Sequence, residues 1–454
     1  MNGLPPLLFS NTAAMKLVGF NAQQIANGFT RRGDALRKNK PKQGPLSPQC
    51  LAQNICKIPF SSLERFFNGT IRRLAAFGIF AAEIGTAIDG TPLATTENYE
   101  GCGCLKVERR ARQKDGSWVT VIELIFGWKL IALIDIRTRI PLAIKVVQIQ
   151  EYEGRWIIPL VKQAQENLAS YARIVKVVAD RIYLDGEDLW ELDQMGLIFV
   201  VIAKDGMLVK EESLALAAQV SPDKIATRTR TVRHGHGSKQ TTEKLVTRLA
   251  GLEGLTSYGL YGPEEYTRHY RRKEYEAKPI NTVVVLEWDS KEKGNHVYLT
   301  NGPVDDPFVA FDDYDDRSLI ENCLFREGKG PWNLLEHFPQ RNERGVLIQT
   351  FFIAVMQALA TAFRLWDRQQ ELSAEEPETA AEPLDYSLLG GEGAQRWRRR
   401  LKQENRNKLI VFVGEHYGIF HMAEFAVLVG LRVKEIPPEL GTSADILARF
   451  DLGP

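Results

Sequence analysis

Four polar side chains of different chemistry recur at helical spacing near residue 320. They are Tyr314, Arg317, Glu321 and Lys329. At about 100° per residue, all four fall within an arc of about 120°, and Leu319, Ile320 and Cys323 form an apolar stripe on the far side. A face that combines a phenol, a guanidinium, a carboxylate and an ammonium suits the handling of charged groups. On spacing alone, a solvated helix face with an Arg317–Glu321 ion pair at i, i+4 is the more frequent interpretation.

Start and stop signals for a helix flank this pattern. Asp312 and Asp313 are suited to cap its start, because carboxylates there accept free backbone N–H groups. Gly328, Gly330 and Pro331 are typical of its end. The sequence therefore predicts one helix over 314–329.

Two further acids follow short apolar runs. Asp89 comes directly after Ile84–Ile88, and Asp180 comes directly after Ile174–Ala179. The carboxyl end of a buried strand is a usual place for a functional residue in an α/β fold. An Asp-Gly pair such as Asp89-Gly90 is equally typical of a simple turn.

Neighbouring strands would bring Asp89 and Asp180 to one edge of a sheet. Clustered carboxylates repel one another unless a cation lies between them, and Mg²⁺ is the divalent ion that prefers such oxygen ligands. A pair of these ions can activate water or a 3′-hydroxyl for displacement at a phosphodiester. The two acids thus indicate phosphoryl-transfer chemistry at this edge.

The elements between these acids alternate in a recognisable order. A strand at 84–88 is followed by β-rich runs at 118–126, 129–136 and 140–148, a helix at 153–168, a strand at 174–179, a helix at 186–194 and a strand at 197–203. This order predicts a ribonuclease H-like α/β fold, a mixed sheet flanked by helices. The apolar stretch 346–366 is interrupted by polar side chains, among them Gln349, Gln357, Thr361 and Arg364, so we expect a buried core helix there and no membrane span.

Spacing predicts an insertion within this core. The acids at 89 and 180 are 91 residues apart, whereas 141 residues separate Asp180 from Glu321. A compact core needs no such gap, so residues 206–305 are expected to form a β-rich insertion separate from the central sheet. Its basic, Gly-rich segment 227–239 could hold phosphates through Arg228, Arg230 and Arg233.

The helical pattern Y-x2-R-x3-E, followed by a lysine, resembles the Y-R-E-K signature of DDE-class cut-and-paste insertion-sequence transposases. Residues 87–91 (A-I-D-G-T) and 178–183 (V-A-D-R-I-Y) are similar to the first and second Asp regions of the same family. Three matches in the right order are far more specific than one. The family pattern has six residues between Glu and Lys, which falls on Gly328, so Lys329 lies one residue later.

The resemblance implies roles for these residues. Asp89, Asp180 and Glu321 would hold Mg²⁺, with Mn²⁺ able to substitute, and would be the catalytic residues. Arg317 and Lys329 would contact DNA phosphate or orient Glu321, and Tyr314 would contact DNA or pack beneath the site. Glu327 is a rival acid, but it projects nearly opposite Glu321 on the helical wheel.

The implied activity is transposition. The protein would cleave double-stranded DNA at the ends of an insertion sequence and join the freed 3′-hydroxyl to target DNA, as a homodimer in a synaptic complex. We expect a bacterial cytoplasmic, nucleoid-associated protein with no membrane partner. A structure-specific nuclease on the same fold is the alternative enzyme, and a domesticated, catalytically silent DNA-binding protein is the alternative outside enzymes. The presence of all three acids argues against silence.

Composition agrees with a multidomain globular chain whose DNA contacts are local. The 454 residues are 44% hydrophobic and 25% charged with a net charge of +1, so no global basic signature exists, and five cysteines without a paired framework suggest a reducing compartment. Arg396 precedes Trp397, and Arg398, Arg399 and Arg400 follow it, a combination of basic and aromatic residues that suits DNA contact.

The predicted domains follow from these segments. They are a helical N-terminal DNA-binding domain at 1–82, the catalytic core at 83–205 and 306–370, the insertion at 206–305, an acidic linker at 371–395 and a basic C-terminal unit at 396–454. Within the first, Asn21 can cap one of two short helices, which form either a helix-turn-helix or a simple packed pair.

Overall fold

A computed structural model defines the architecture. It describes residues 15–16, 19–27, 48–112, 117–234, 241–257, 278–291, 296–330, 332–335, 338–375, 383–389, 408–413, 416–421 and 425–427. The chain divides into two compact units, Ile58–Tyr386 and the combination of Met1–Lys57 with Ser387–Pro454.

A mixed sheet dominates the unit Ile58–Tyr386. In the described part of the chain its strands are β1 (Glu83–Thr95), β2 (Gly103–Arg112), β3 (Trp118–Asp135), β4 (Pro141–Gln148), β5 (Arg173–Ala179), β6 (Ile198–Ile202), β7 (Ala226–His234), β8 (Thr241–Leu255), β9 (Ile280–Glu287) and β10 (His296–Thr300). The core order is β4-β3-β1-β5-β6, with β5 parallel to β1 and to β6, and β3 antiparallel to β1 and β4. This mixed sheet, flanked by helices, confirms the predicted α/β fold.

The helices of the described chain cover the sheet or belong to the terminal unit. They are α1 (Ala22–Asn27), α2 (Pro48–Ile55), α3 (Phe60–Ala76), α4 (Ile157–Leu168), α5 (Gly186–Gln194), α6 (Leu208–Ala217), α7 (Pro307–Asp316), a π-helix (Ile320–Phe325), α8 (Arg326–Lys329) and α9 (Glu343–Glu375). In the terminal unit, the predicted cap of α1 is formed, because Asn21 Oδ1 accepts the Gln24 N–H at 2.8 Å. The same unit contains the hairpin of β11 (Lys408–Val413) and β12 (His416–His421).

Helix α3 belongs to the unit Ile58–Tyr386. It packs against α4 and α9, and the Phe351 ring of α9 lies between Phe60 and Phe67 at centroid distances of 5.5 and 6.0 Å. The predicted boundary at residue 82 is therefore wrong for this helix, because its apolar face is buried against the core. The helix begins at Phe60, and the residue before it, Pro59, supplies no side-chain cap.

Helix α9 combines an apolar composition with a position in the core. Its segment Glu343–Gln370 is long and apolar enough to cross a membrane by length and composition alone. However, 56% of the most apolar part of this segment is buried inside the protein, and the helix packs against α3 and β4. This packing agrees with the predicted core helix. Helix α9 continues to Glu375, into the segment 371–395 that was expected to be an acidic linker.

The segment 206–305 is β-rich, but it is not separate from the sheet. Strands β10, β9, β8 and β7 continue the central sheet from the edge of β6, each pairing antiparallel with its neighbour. The prediction of a separate insertion is therefore wrong. Strand β6 would otherwise leave an unpaired edge of N–H and C=O groups, and β10 satisfies them.

Strand β3 is continuous where two strands were expected. Gly127 lies at the predicted break with φ +137° and pairs with Ala94 of β1 and Gly103 of β2. A Cβ built at this position would overlap the carbonyl oxygen of Leu93. The glycine therefore permits β1 and β3 to approach closely, with a backbone conformation that side chains disfavour.

Gly127→Ala is expected to lower the free energy of unfolding by about 2–4 kcal/mol, because both the φ angle and the contact with Leu93 oppose a methyl group. Urea denaturation followed by circular dichroism measures this change. Gly85→Ala on β1 is the control, since its Cβ would make only ordinary contact with Ile136 at 3.5 Å, and it should change stability by less than about 1 kcal/mol. Equal effects of the two substitutions would contradict the assignment.

Candidate functional site

The register between β1 and β5 brings the first two predicted acids together. Ile88 pairs with Ala179, so Asp89 and Asp180 follow side by side. Asp180 comes just after β5 as predicted, whereas Asp89 lies inside the 13-residue strand β1, which continues to pair with β3. The expectation of a strand end at Asp89 is thus wrong, although the neighbouring strand does end there.

Both carboxylates are partly satisfied by the backbone. Gly90 N–H donates to Asp89 Oδ1 at 2.8 Å, and Arg181 N–H donates to Asp180 Oδ1 at 2.6 Å. Burial raises the pKa of Asp89 to about 6, against the lowering effects of Arg317 and the Gly90 N–H, and nearby Asp180 and Glu153 raise it further. Asp89 therefore lies in a concentrated negative field.

The segment that carries the four polar side chains is not one regular helix. Helix α7 begins at Pro307 with Asp306 as its N-cap and ends at Asp316, so Asp312 and Asp313 lie inside it and do not cap it. A π-helix then spans Ile320–Phe325, and α8 ends at Lys329. A π-turn closes at i→i+5 and so takes one residue more than an α-turn. Lys329 lies one residue later than the family pattern has it, and the π-helix, which contains Glu321, precedes this lysine.

Two side chains of this segment contact the acid pair. Arg317 Nη1 lies 2.8 Å from Asp89 Oδ2, and the Tyr314 hydroxyl donates to Asp180 Oδ1 at 3.4 Å. The Arg317 guanidinium also lies 5.5 Å from the centre of the Tyr314 ring. Arg317 thus forms its ion pair with Asp89. The Arg317–Glu321 pair expected for a solvated helix face is not formed. Burial, aided by Asp180, raises the pKa of Tyr314 to about 12.

Lys329 lies on the side of β1 that carries Asp89, and Glu321 is near it. Lys329 Nζ donates to Thr91 Oγ1 at 2.5 Å, and residues 89 and 91 of a strand point to the same face. Burial lowers the pKa of Lys329, and the negative charge of Glu321 opposes that shift. Glu321 itself is exposed. Its π-helix packs against β1.

The predicted convergence of three acids is not formed in this structure. Among the described residues, no group of three or more His, Cys, Asp or Glu side chains has an arrangement that could hold a metal ion. Asp89 and Asp180 are neighbours, and Arg317 is the cation that neutralises Asp89. The assignment of Glu321 as the third metal ligand stays a prediction.

Glu327 points to the opposite side of its helix. Its two carboxylate oxygens accept from the Tyr386 hydroxyl at 3.0 Å and from Arg364 Nη2 at 3.3 Å. The carboxylate of Glu327, the rival acid, therefore binds α9 and the segment that follows α9.

The basic residues predicted to contact DNA lie in different settings. Arg228 and Arg230 belong to the edge strand β7 and form ion pairs with Asp312 and Asp289, and Arg228 also stacks on Phe308 at 3.9 Å. Arg233 is exposed on the same strand. Arg398, Arg399 and Arg400 lie outside the described residues.

Two residues near the acid pair were not identified from the sequence as residues of the site. Glu153 precedes α4, and the side chain of Tyr183 is fully buried. Burial raises the pKa of Tyr183, and Glu153, Asp89 and Asp180 raise it further, so all four lie in one field. An acid at the start of an amphipathic helix is too common to signal a site, and only its tertiary neighbours distinguish Glu153.

Asp89→Asn should stabilise the protein in a pH-dependent manner when metal is removed with EDTA. Because the folded protein holds the proton on Asp89 more tightly than the unfolded chain does, ionisation lowers stability as the pH rises from about 4 through about 6. The difference in unfolding free energy between variant and wild type should grow by up to about 3 kcal/mol between pH 4.5 and 8. Denaturation at several pH values measures it, with exposed Asp305→Asn as the control. A difference independent of pH would contradict the prediction.

Comparison with known proteins identifies the family. Residues 81–357, more than half of the chain, match the family model described as the transposase DDE domain. No curated protein matches the chain in sequence. Among solved structures, the piggyBac transposase in its synaptic complex with hairpin DNA is matched with 11% identity and a TM-score of 0.29. That match covers 71% of this chain and 57% of the other, so the chain spans less than two thirds of that transposase. The family match shows that the chain belongs to the DDE transposase domain family.

Proposed function

We propose that the protein is an insertion-sequence transposase that cleaves DNA at the ends of its element and joins the 3′-hydroxyl to target DNA. One observation carries this proposal. Tyr314 and Arg317, which lie 134 and 228 residues from their partners, contact Asp180 and Asp89 directly. The helical signature and the two Asp regions therefore meet in one place, at the carboxyl end of β5.

The residues fit a divalent metal of hard character. Asp89 and Asp180 are neighbours across the β1–β5 pairing and offer carboxylate oxygen donors. Oxygen ligands of this kind suit Mg²⁺, with Mn²⁺ as a substitute. We propose Asp89, Asp180 and Glu321 as its ligands. When bound, such ions supply the activation of water or of a 3′-hydroxyl in phosphodiester displacement.

The remaining residues of the signature position this chemistry. Arg317 offers a guanidinium that can exchange its contact with Asp89 for a DNA phosphate, since guanidinium groups bind carboxylates and phosphates alike. Lys329, which bonds to Thr91, presents a second cation on the same face. Tyr314 stacks against Tyr298 at 4.7 Å and so fixes the position of the hydroxyl that meets Asp180.

The partners follow from this chemistry. We propose double-stranded DNA as the substrate, a homodimer as the synaptic form and the bacterial cytoplasm, at the nucleoid, as the place of action. Local basic patches would bind the DNA, because the net charge is only +1. The helical N-terminal segment and the basic C-terminal unit are proposed to contribute such patches, with Arg233 on the edge strand β7 as a further exposed cation.

Catalysis tests the three acids. Replacing Asp89, Asp180 or Glu321 by Ala should abolish both cleavage and strand transfer, because each is proposed as a metal ligand. None of these changes should cost much stability, since they relieve repulsion between carboxylates. The assay is cleavage and joining of a linear DNA that carries the element's ends, in Mg²⁺, with a melting curve for each variant.

Glu327→Ala is the matched control on the same helical segment. It should retain cleavage and lose about 1–2 kcal/mol of stability, because it removes the contacts to Arg364 and Tyr386. If Glu321→Ala cleaves normally and Glu327→Ala is inactive, the third acid is misassigned. Cleavage without any joining by the wild-type protein would identify a nuclease instead.

Salt dependence tests the C-terminal basic cluster. Replacing Arg398, Arg399 and Arg400 together by Gln should weaken DNA binding and reduce the slope of log K against log salt by up to about three units. The triple Lys variant keeps the charge and should keep the slope. Fluorescence anisotropy at about 50–300 mM salt measures the affinity and the slope. An unchanged slope in the Gln variant would remove this segment from the DNA path.

A further inference from the structure

Strand β3 extends beyond the strands that flank it in the core. Strand β1 pairs with β3 only from Phe126 onward, and β4 pairs with it only from Trp128 onward. Residues 118–125 of β3 therefore pair with residues 105–112 of β2 alone, which gives a β2–β3 ribbon of eight residue pairs, about 27 Å long. A two-stranded ribbon is only marginally stable in water by itself.

Apolar side chains are exposed on both faces of the β2–β3 ribbon. Trp118, Ile122 and Leu124 alternate along one face and are each more than half exposed, and Val121 is exposed on the other face. Exposed apolar surface of this kind typically marks an interaction site on a protein in water.

The outer edge of β2 is open to another strand. The sheet ends at β2, and no strand in the described part of the chain pairs with its outer side. A row of unpaired N–H and C=O groups is a template for pairing with a second chain. If that strand is β2 of a second copy, antiparallel pairing about a two-fold axis closes a dimer and forms every contact twice. The two ribbons then become one four-stranded sheet, which exceeds the number of strands that a stable sheet needs.

The charges of β2 are complementary to those of a second β2 in this arrangement. Lys106 and Glu108 are both exposed, and they lie on the same face because they are two residues apart. With the two-fold axis at Val107, Lys106 lies opposite Glu108 of the second copy, and Glu108 lies opposite Lys106. Opposed side chains in an antiparallel pair have Cβ atoms about 4.5–5.5 Å apart, close enough for an ion pair.

Other registers lack this complementarity. An axis at Lys106, Glu108 or Arg110 would place identical charges opposite each other. An axis at residue 109 would oppose Lys106 to Arg112, and one at residue 111 would oppose Arg110 to Arg112. An axis at residue 104 or 105 joins no opposite charges within β2. The charge pattern therefore selects the register centred on Val107.

Apolar side chains of β3 flank the two ion pairs in this register. Within one ribbon, Ile122 lies opposite Glu108, and Leu124 lies opposite Lys106. Across the four strands, each intermolecular ion pair would thus have an apolar side chain on either side. Partial shielding from water strengthens an ion pair, because its charges are screened less.

We propose that β2 pairs antiparallel with β2 of a second copy of this chain, about a two-fold axis at Val107, and so joins two β2–β3 ribbons into one sheet. This inference gives the proposed homodimer its interface, and for that role it rests on the proposed function. Contact between the ribbon and DNA is the alternative that the experiments exclude or reveal.

Charge reversal in the full-length protein tests the interface, with the dimer dissociation constant measured by sedimentation equilibrium. Lys106→Glu and Glu108→Lys should each raise the constant by about 10- to 30-fold, because two attractive pairs become two repulsive ones. An equimolar mixture of the two variants should form a heterodimer with a constant within about threefold of wild type, since both pairs again join opposite charges. Melting curves at concentrations below the dissociation constant should match wild type, because both positions are exposed.

The same two variants distinguish a second copy from DNA. Both reversals weaken a dimer, whereas on a DNA surface Lys106→Glu would weaken binding and Glu108→Lys would strengthen it. Opposite effects on DNA affinity, with dimerisation of both variants as in wild type, would overturn the inference. Failure of the mixture to restore the dimer would overturn it too.

A crosslink tests the register. In a Cys104→Ser background, Val107→Cys should form a covalent dimer with a short bis-maleimide reagent, because the two copies of residue 107 lie opposite each other at about 4.5–5.5 Å between Cα atoms. Thr120→Cys in the same background is the matched control, since it is exposed on β3 and lies away from the seam. Equal crosslinking of the two variants would contradict the register.

Cleavage and joining of element ends in Mg²⁺, measured in parallel, separate this inference from the proposed function. A wild-type protein that stays monomeric with and without DNA overturns the interface, and its cleavage of a single end would still support a transposase. A dimer that shows the expected charge and crosslinking behaviour but never cleaves supports the interface and contradicts the proposed function.

Discussion

The parallel pairing of β1 with β5 is the constraint on which the site depends. It sets Asp89 beside Asp180 at the point where β5 ends and β1 continues. Two carboxylates in that position repel each other, and burial penalises their ionised forms. Backbone N–H groups and the Arg317 guanidinium offset part of that cost. The surrounding structure is arranged to supply positive charge to this pair.

The segment from α7 to α8 supplies most of that charge, and its irregular geometry explains how. The π-helix adds a residue to one turn, which permits Lys329 to reach Thr91 while Glu327 is held by Arg364 and Tyr386 on the other side. π-helical turns occur frequently at functional sites, because they shift side chains out of regular helical register. Here the π-helix lies between Arg317, which contacts Asp89, and Lys329, which contacts Thr91 of the same strand β1.

The additional strands link the extended sheet to the same segment. Arg228 of β7 binds Asp312 of α7 and stacks on Phe308, and the Tyr298 ring of β10 packs against Tyr314. These contacts hold α7 against the strands that lie beyond β6 in the sheet, away from β1. The strands beyond β6 therefore do more than cover a sheet edge, because they help to fix the position of the tyrosine that meets Asp180.

Much of this architecture could be predicted from residue patterns. The apolar runs before Asp180, the helix at 186–194 and the capping of α1 by Asn21 depend on local periodicity and local hydrogen bonds, which neighbouring residues determine. Tyr314, Arg317, Glu321 and Lys329 were likewise recognised by their helical spacing, although a π-helix interrupts the regular helix between them.

Other features depend on contacts between distant segments. The continuity of β3 through Gly127 and the pairing of β10 with β6 are decided by which strands meet across the sheet, and hydrophobic patterns do not encode the partner. Arg317 pairs with Asp89 and not with Glu321, because the attraction between opposite charges is stronger at a buried carboxylate than at an exposed one. By itself the sequence determined the chemistry of the site, namely acids, cations and a tyrosine in a fixed order. Only the tertiary structure decided which charges meet, because burial and distance set the strength of every such interaction.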